Sequence, residues 1–560
     1  MPGGLLNIVS TGQQNVILNG NPQKSFFKAT YKKYTNFGKQ NFRLDYEGTP
    51  QLNLTTETTY TFKVKRYADL LMDCYICVTL PNIWSPIYPP QTYVNSDGTE
   101  VYSDWSPYEF AWIKNIGAEI ISKVTIQCGN QQLQQFSGKY ILSSTQRDFN
   151  SQKLGLFNEM IGNIPELNDP GNSGPRVNAY PNAYYTTSSA GAQPSIMGRT
   201  LWIPLNSWFC MSSIQAFPLV ALQYNELTIN VSFRPLNEWF TIRDVIDYQN
   251  NFPIVAPNFN QSHMQFYRFL QTPPDEELNV DSYIDTRTNW FADINLNCTY
   301  CFLSSDEAEI FAKNEQKYLF KQIHEKPFYN ITGQNKIDLD SIGMVISWMF
   351  YFQRSDVNLR NQWTNYTNWP YDSMPQDVAP ASTAGDVSNP NPLGPPQLGP
   401  GLNPDGTLSG LYYTGVYNPQ NLKDILVALG ILLDGQYREN ILPAGVYNFV
   451  EKYIRTSGFA PPGLYCYNFC LNTDPYTIQP SGAINTSRFT NVQFEFTTIT
   501  PPVDPYAQVL TICDPATGDI VGINKPTWRL YDYNFNMYLM EERVNMVIFV
   551  GGNAGLLYAT

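Results

Sequence analysis

Glu226-Leu227-Thr228-Ile229-Asn230-Val231-Ser232-Phe233, stopped two residues later by Pro235, is the stretch on which the fold reading turns. Leu227, Ile229, Val231 and Phe233 alternate with Glu226, Thr228, Asn230 and Ser232. A period of two sends successive side chains to opposite faces, so this segment is a strand with one face buried and one face polar. Pro235 has no N–H to give a ladder and ends it. The pattern recurs upstream at Tyr60, Phe62 and Val64, at Cys74–Leu80 before Pro81, and at Val124, Ile126 and Cys128 before the turn pair Gly129-Asn130. Downstream it recurs at 293–303, Val492/Phe494/Phe496, Tyr531/Tyr533/Phe535/Met537 and Val547–Val550. Ile342–Phe352 is a continuous apolar run, which predicts a strand buried on both faces. Two short helices are expected. One opens at the capping-box-like Asp306-Glu307-Ala308-Glu309 and runs to about Phe320; the other is capped by Asn421, with Leu422, Ile425, Leu426 and Leu429 at helical spacing.

Residues 81–110, 165–200 and 370–410 are rich in Pro, Gly, Asn and Ser and read as long loops. Many short strands, turn residues and long insertions make an all-β chain, and the second half follows the plan of the first without a fixed-period repeat. Two consecutive jelly-roll (β-sandwich) domains are the expected architecture. The divisions are an extended N-terminal arm over 1–30, a first jelly roll over 31–240, a connector over 241–262 and a second jelly roll over 263–560, with 370–420 a long exposed loop. The 560 residues suffice for two large β domains.

Only 15% of residues are charged, against roughly 25% in an ordinary soluble domain, while aromatics reach 14% with 38 Tyr. Such a surface suits permanent cover by neighbours; an all-β protein with many turns reads the same way. The net charge of −13 is unevenly placed. Residues 1–44 hold Lys24, Lys28, Lys32, Lys33, Lys39 and Arg43 and no acid, so the rest of the chain carries −19. A basic arm on an acidic body points to a segment that docks on an acidic surface, with Lys24, Lys28, Lys32 and Lys33 as its candidate contacts. The alternative is a solvated basic stretch. The acidic body makes direct nucleic-acid binding unexpected.

Signals for chemistry are sparse. The first residues lack a signal-peptide pattern, Pro2 excludes the myristoylation motif, and the apolar runs are too short to span a bilayer, so a soluble chain made in the cytosol is expected. Nine Cys fit free thiols in a reducing compartment. Cys74/Cys77 and Cys298/Cys301 have zinc-like spacing but sit in alternating strands, where an i, i+3 pair points to opposite sides. Two histidines, His263 and His324, exclude a clustered-His metal site and leave little for a catalytic triad. There is no phosphate-binding or dinucleotide glycine motif. The pairs Glu276/Glu277 and Glu541/Glu542 are read as solvated charge. No catalytic residue, cofactor or metal is therefore expected. Of seven Asn-x-Ser/Thr sequons, Asn230 and Asn297 fall in strands; Asn53, Asn260, Asn330, Asn365 and Asn485 are the candidate glycosylation sites.

Gly3-Gly4-Leu5-Leu6, then Gly20-Asn21-Pro22-Gln23-Lys24-Ser25-Phe26-Phe27-Lys28 with Tyr31 and Thr35-Asn36-Phe37, resembles the N-terminal signature of major capsid proteins from nucleocytoplasmic large DNA viruses. Ile203-Pro204-Leu205, Trp208-Phe209-Cys210 and Pro218–Tyr224 resemble the end of that family's first jelly roll. Gln479–Asn485 with Ser487-Arg488-Phe489, and the closing Tyr533-Asn534-Phe535-Asn536 and Gly555-Leu556-Leu557-Tyr558, resemble signatures of its second. Residues 370–420 carry no anchor of the resemblance, as expected of a loop that varies in the family. The resemblance implies a non-enzymatic shell protein of the virion, assembled in the host cytoplasm. It implies a homotrimeric capsomer of pseudo-sixfold outline, with neighbouring capsomers around it and minor capsid proteins or an inner membrane beneath. Competing readings are a carbohydrate-binding jelly roll, an enzyme, and a scaffolding relative of the same fold.

Overall fold

The alternating segments pair in one order, twice. A computed structural model describes the chain apart from residues 1–3, 6–11, 89–91, 95–99, 103–105, 178, 182, 184–192, 248–251, 275–281, 288–289, 373–377, 380–398, 403–407, 414–415, 418–421, 504–506, 508–509, 515 and 559–560. In the first half the main strands are β1 (Phe37–Leu44), β2 (Thr58–Val64), β3 (Leu70–Thr79), β4 (Ile121–Cys128), β5 (Gln131–Phe136), β6 (Thr200–Pro204), β7 (Leu227–Phe233) and β8 (Ile294–Leu303). They form two antiparallel sheets, β1-β8-β3-β6 and β5-β4-β7-β2. The second half has β9 (Gln316–Ile331), β10 (Gln334–Asp338), β11 (Met344–Arg354), β12 (Leu426–Leu433), β13 (Gln436–Pro443), β14 (Leu464–Asn468), β15 (Val492–Thr498) and β16 (Phe535–Val550). Its sheets are β9-β16-β11-β14 and β10-β15-β12-β13. Ranked within its own half, each sandwich pairs strands one, eight, three and six in one sheet and two, seven, four and five in the other. That is the jelly-roll order, present in both halves.

Alternation fixes the faces. Leu227, Ile229, Val231 and Phe233 of β7 are buried against the facing sheet, in a core with Phe62, Ile76 and Ile126. In the second sandwich Phe494 and Phe496 of β15 meet Trp348, Phe350 and Phe352 of β11. The intervening β11 residues Met349 and Tyr351 belong to the core cluster of the first half. This strand therefore has no solvent face, which is the reason for its unbroken apolar run.

Several expectations need correction. Strand 294–303, placed by the sequence reading in the second domain, is the eighth strand of the first sandwich, between β1 and β3. Followed by sheet membership, the halves meet after residue 303 rather than at 263, because alternation reports a buried face and not the sheet that buries it. The helix expected after Asn421 is instead strand β12; a continuous apolar run such as Ile425–Leu433 satisfies either period. Asn421 itself lies outside the described residues. The helix at Asp306 covers Ser305–Lys313 only, and β9 begins at Gln316. Of the two C-terminal segments, Phe535/Met537 and Val547–Val550 belong to one 16-residue strand, β16, while Tyr531 and Tyr533 precede it. Within 370–420, Gly399–Leu402 pairs with Leu408–Tyr413, and Val378–Ala379 with Val416–Tyr417; most other residues there lie outside the described ones. The arm is not extended throughout: Gln13–Asn15 and Val16–Asn19 form short helical turns, and 20–36 has neither helix nor strand. No helix among the described residues is long and apolar enough to cross a membrane.

Candidate functional site

The two sandwiches meet along the outer face of the β9-β16-β11-β14 sheet, and one helix organises the contact. This helix, α1 (Gly138–Asp148), is capped by Ser137, whose side chain accepts from Tyr140 N–H at 3.1 Å. The cap reaches across the joint. Ser137 donates from its hydroxyl to Glu325 Oε1 at 2.6 Å and from its N–H to Glu325 Oε2 at 3.0 Å. Gly138 is required here, because a Cβ would lie 1.9 Å from Ala118 O.

At the far end of α1, Arg147 is fully buried. It donates to Asp148 Oδ2 at 2.7 Å, Glu542 Oε1 at 2.8 Å and Ser347 Oγ at 3.1 Å. Tyr140 Oη and Ser347 Oγ donate to the two oxygens of Glu542, each at 2.7 Å, and Thr473 Oγ1 donates to Asp148 Oδ1 at 2.6 Å. Three segments of the second half (β11, β16 and the loop at 473) thus converge on one helix of the first. Burial alone would push the Glu542 carboxyl up; the Arg147 guanidinium, Lys321 and the hydrogen bonds overcome it and hold that carboxyl below the ordinary carboxylate range. The same partners keep Arg147 charged against its own burial. Removing one member would strand a buried charge, at a cost of about 3–5 kcal/mol.

Beside this network the joint is aromatic. Trp208 lies 5.6 Å from Tyr318 and 5.9 Å from Phe320, and Phe217 meets Phe549 edge-on at 5.0 Å. Gln134 and Gln215 donate to the Lys321 and Leu319 carbonyls of β9. Lys139 Nζ binds Glu119 at 2.6 Å and sits 5.1 Å from the Tyr351 ring centre. Aromatic packing around a hydrogen-bonded network of buried charges is what rigid attachment needs. A cleft at the joint is lined by Tyr140, Trp208, Lys321, Ile346, Ser481 and Glu542.

Glu541 and Glu542 correct the sequence reading: both are 1% exposed, on opposite faces of β16. Glu542 serves the joint, while Glu541 accepts from Trp348 Nε1 at 2.6 Å and pairs with Arg543 inside the second sandwich. The available signal was the charged trio Glu541-Glu542-Arg543 embedded in an alternating apolar strand, where solvated charge has no place. Glu276 and Glu277 lie outside the described residues.

The other singled-out residues do not converge. Lys24, Lys28, Lys32 and Lys33 all lie on the exposed arm, away from either sandwich core. Among the candidate sequons, Asn53, Asn260, Asn330 and Asn485 are exposed. Asn365 is a correction: it is buried, donates its amide to Trp369 O at 2.8 Å and accepts from Thr367, so the folded chain does not present it. One cysteine of each CxxC pair meets the other in register across β3 and β8, with Cys74 Sγ 3.3 Å from Cys298 Sγ, while Cys77 faces Asn295 and Cys301 faces Leu70 in a separate cluster. Burial pushes the Cys74 thiol up, away from the thiolate that metals require. Among the described residues there is no group of three or more His, Cys, Asp or Glu able to hold a metal. His263 stands 3.4 Å from Asp244, and His324 sits in β9 opposite Glu541.

Comparison with known proteins gives the same picture along the chain. Residues 25–268 match the family described as major capsid protein N-terminus, and residues 307–518 match the large eukaryotic DNA virus major capsid protein family. The major capsid protein of Phaeocystis pouchetii virus is 24% identical over 96% of this chain and 97% of its own length. That of Paramecium bursaria Chlorella virus 1 is 24% identical over the whole of both chains. Among solved structures, the PBCV-1 virus capsid shares the fold at a TM-score of 0.57 and 18% identity, over 96% of this chain and 100% of that one. The Faustovirus major capsid protein does so at 0.57 and 12%, over 98% of each chain.

Proposed function

The chain belongs to the major capsid proteins of large eukaryotic DNA viruses, and on that premise we propose that three copies close into one capsomer, whose six sandwiches give a pseudo-hexagonal outline suited to tiling an icosahedral shell. That the chain is a structural component of the virion capsid follows from the family; the trimer is our own reading. The observation that carries it is the repeated strand order in two sandwiches joined by a buried network. A rigid pair of like lobes, taken three times around an axis, is a closed ring of six like lobes, and closed rotational symmetry is the usual form of a homo-oligomer.

The surface supports self-association. Phe449, Tyr453, Ile454 and Phe459 of the second half stand exposed, Tyr453 at 91%. Clustered exposed rings of this kind mark contact surfaces on soluble chains. Neighbouring capsomers would meet laterally, and the basic arm would lie beneath the shell against minor capsid proteins or an inner membrane. Glycans, where present, would sit on the exposed Asn53, Asn260, Asn330 or Asn485. Native mass measurement of the purified protein tests the trimer: three times the 63.8 kDa chain mass is expected, and a monomer across the accessible concentration range would refute it.

A further inference from the structure

We propose that residues 22–35 of the arm are an anionic-membrane-binding segment that turns from coil to amphipathic helix on a lipid surface. This rests on the reading of the arm as the shell's inward-facing element, and it names the partner. The first observation is exposure. Phe26 is 101% and Phe27 99% exposed, and Tyr31 and Tyr34 stand almost as free, so four aromatic rings have no place on their own chain. The second is charge: Lys24, Lys28, Lys32 and Lys33 interleave with those rings, and no acid precedes Asp45.

The third is spacing. At roughly 100° per residue, Phe26, Phe27, Tyr31 and Tyr34 fall within an arc of about 140°, Lys24, Lys28 and Lys32 fall within about 80° that begins beside Tyr31, and Lys33 borders the arc at its Phe26 edge. A helix start is already written in the sequence: Asn21 suits the cap position and Pro22 the first helical position. In water such a short segment, with three aromatics and a Thr in its middle, does not sustain a helix, and the structure has none over 20–36. An aromatic face flanked by lysines is the composition of an interfacial helix, whose rings enter the headgroup boundary while lysines reach anionic headgroups.

A nucleic-acid duplex would take the lysines and leave the rings in water. An acidic protein groove would need ring pockets and carboxylates in register, whereas an anionic bilayer offers both everywhere. The −19 body does not oppose the contact. As a helix the fourteen residues span about 21 Å, more than twice the screening length of about 8 Å at physiological salt.

The test uses the full-length protein, floated with phosphatidylcholine vesicles and with the same vesicles carrying about 30% phosphatidylserine, as in an anionic leaflet. Flotation with the anionic vesicles alone is expected, lost at about 1 M salt, with a rise in helical circular dichroism on binding. The K24E/K28E/K32E/K33E chain and the F26S/F27S chain should each bind at least ~10-fold more weakly. These positions are exposed, so the folding of the sandwiches is unaffected. Equal flotation with neutral vesicles, unchanged binding by both variants, or a chain that ignores anionic vesicles would overturn the proposal, as would an arm that is held by duplex DNA or by a second copy instead. Sizing the same samples separates this from the capsomer reading: a trimer that ignores vesicles refutes the lipid contact alone, and a monomer that binds them refutes the trimer alone.

Discussion

At the residue scale, Arg147 holds the molecule to one arrangement. It is buried between its own neighbour Asp148 and Glu542, nearly four hundred residues away, with Ser347 as a third partner. Arg147→Met should cost about 3–5 kcal/mol, because Asp148 and Glu542 keep their charges in a site closed to water. Thermal unfolding of the variant reads this, and the double change Arg147→Met with Glu542→Met should recover a large part of it. The same pair sets a pH dependence. The Glu542 carboxyl is held below its ordinary value, so on acidification the unfolded chain takes up its proton first. The stabilisation is complete above the unfolded carboxyl value of ~4.3 and is lost as pH falls from there toward the folded value. Glu542→Gln should flatten the slope of stability against pH between about 5 and 2; an unchanged slope would show that the network carries no such linkage. Little of this was legible in advance. The charged trio Glu541-Glu542-Arg543 within apolar alternation hints at burial, but which partners the two carboxylates meet on the two faces of β16 comes only from the sheet order.

At the element scale, the strands with one buried face were readable and those with two were ambiguous. β7 and β15 declare themselves because one face stays polar. β12 has the run Leu426–Leu433 with neither period dominant, and its helical reading failed for that reason. β8 alternates and so reads as a strand, but its sandwich is not legible locally, since its partners β1 and β3 lie more than two hundred residues before it. Helix α1 sits where it does because Gly138 lets its first turn touch the Ala118 carbonyl. Gly138→Ala places a Cβ 1.9 Å from that oxygen, and overpacking against backbone should cost about 1–3 kcal/mol. A melting temperature equal to that of the unmodified chain would contradict the assignment. The arm belongs to this scale too. Deleting residues 1–30 removes no strand and should leave trimers intact while impairing shell assembly; normal shells from the truncated chain would deny the arm that role.

At the scale of the whole molecule, the sequence showed two sandwiches and the resemblance named their use, but their rigid union was visible in neither. That union depends on a face of β11 and β16 shared between two cores, and on polar contacts drawn from three separated segments. It is also what the capsomer reading requires, because two lobes on a loose hinge would not hold a sixfold outline when three chains close. Electron cryo-microscopy of the purified soluble particle addresses this directly. Averaged views down the symmetry axis should show six lobes of matching size contributed by three chains, with a fixed lobe-to-lobe spacing within each. Three lobes, a variable spacing between the two sandwiches of one chain, or particles no larger than a single chain would contradict it.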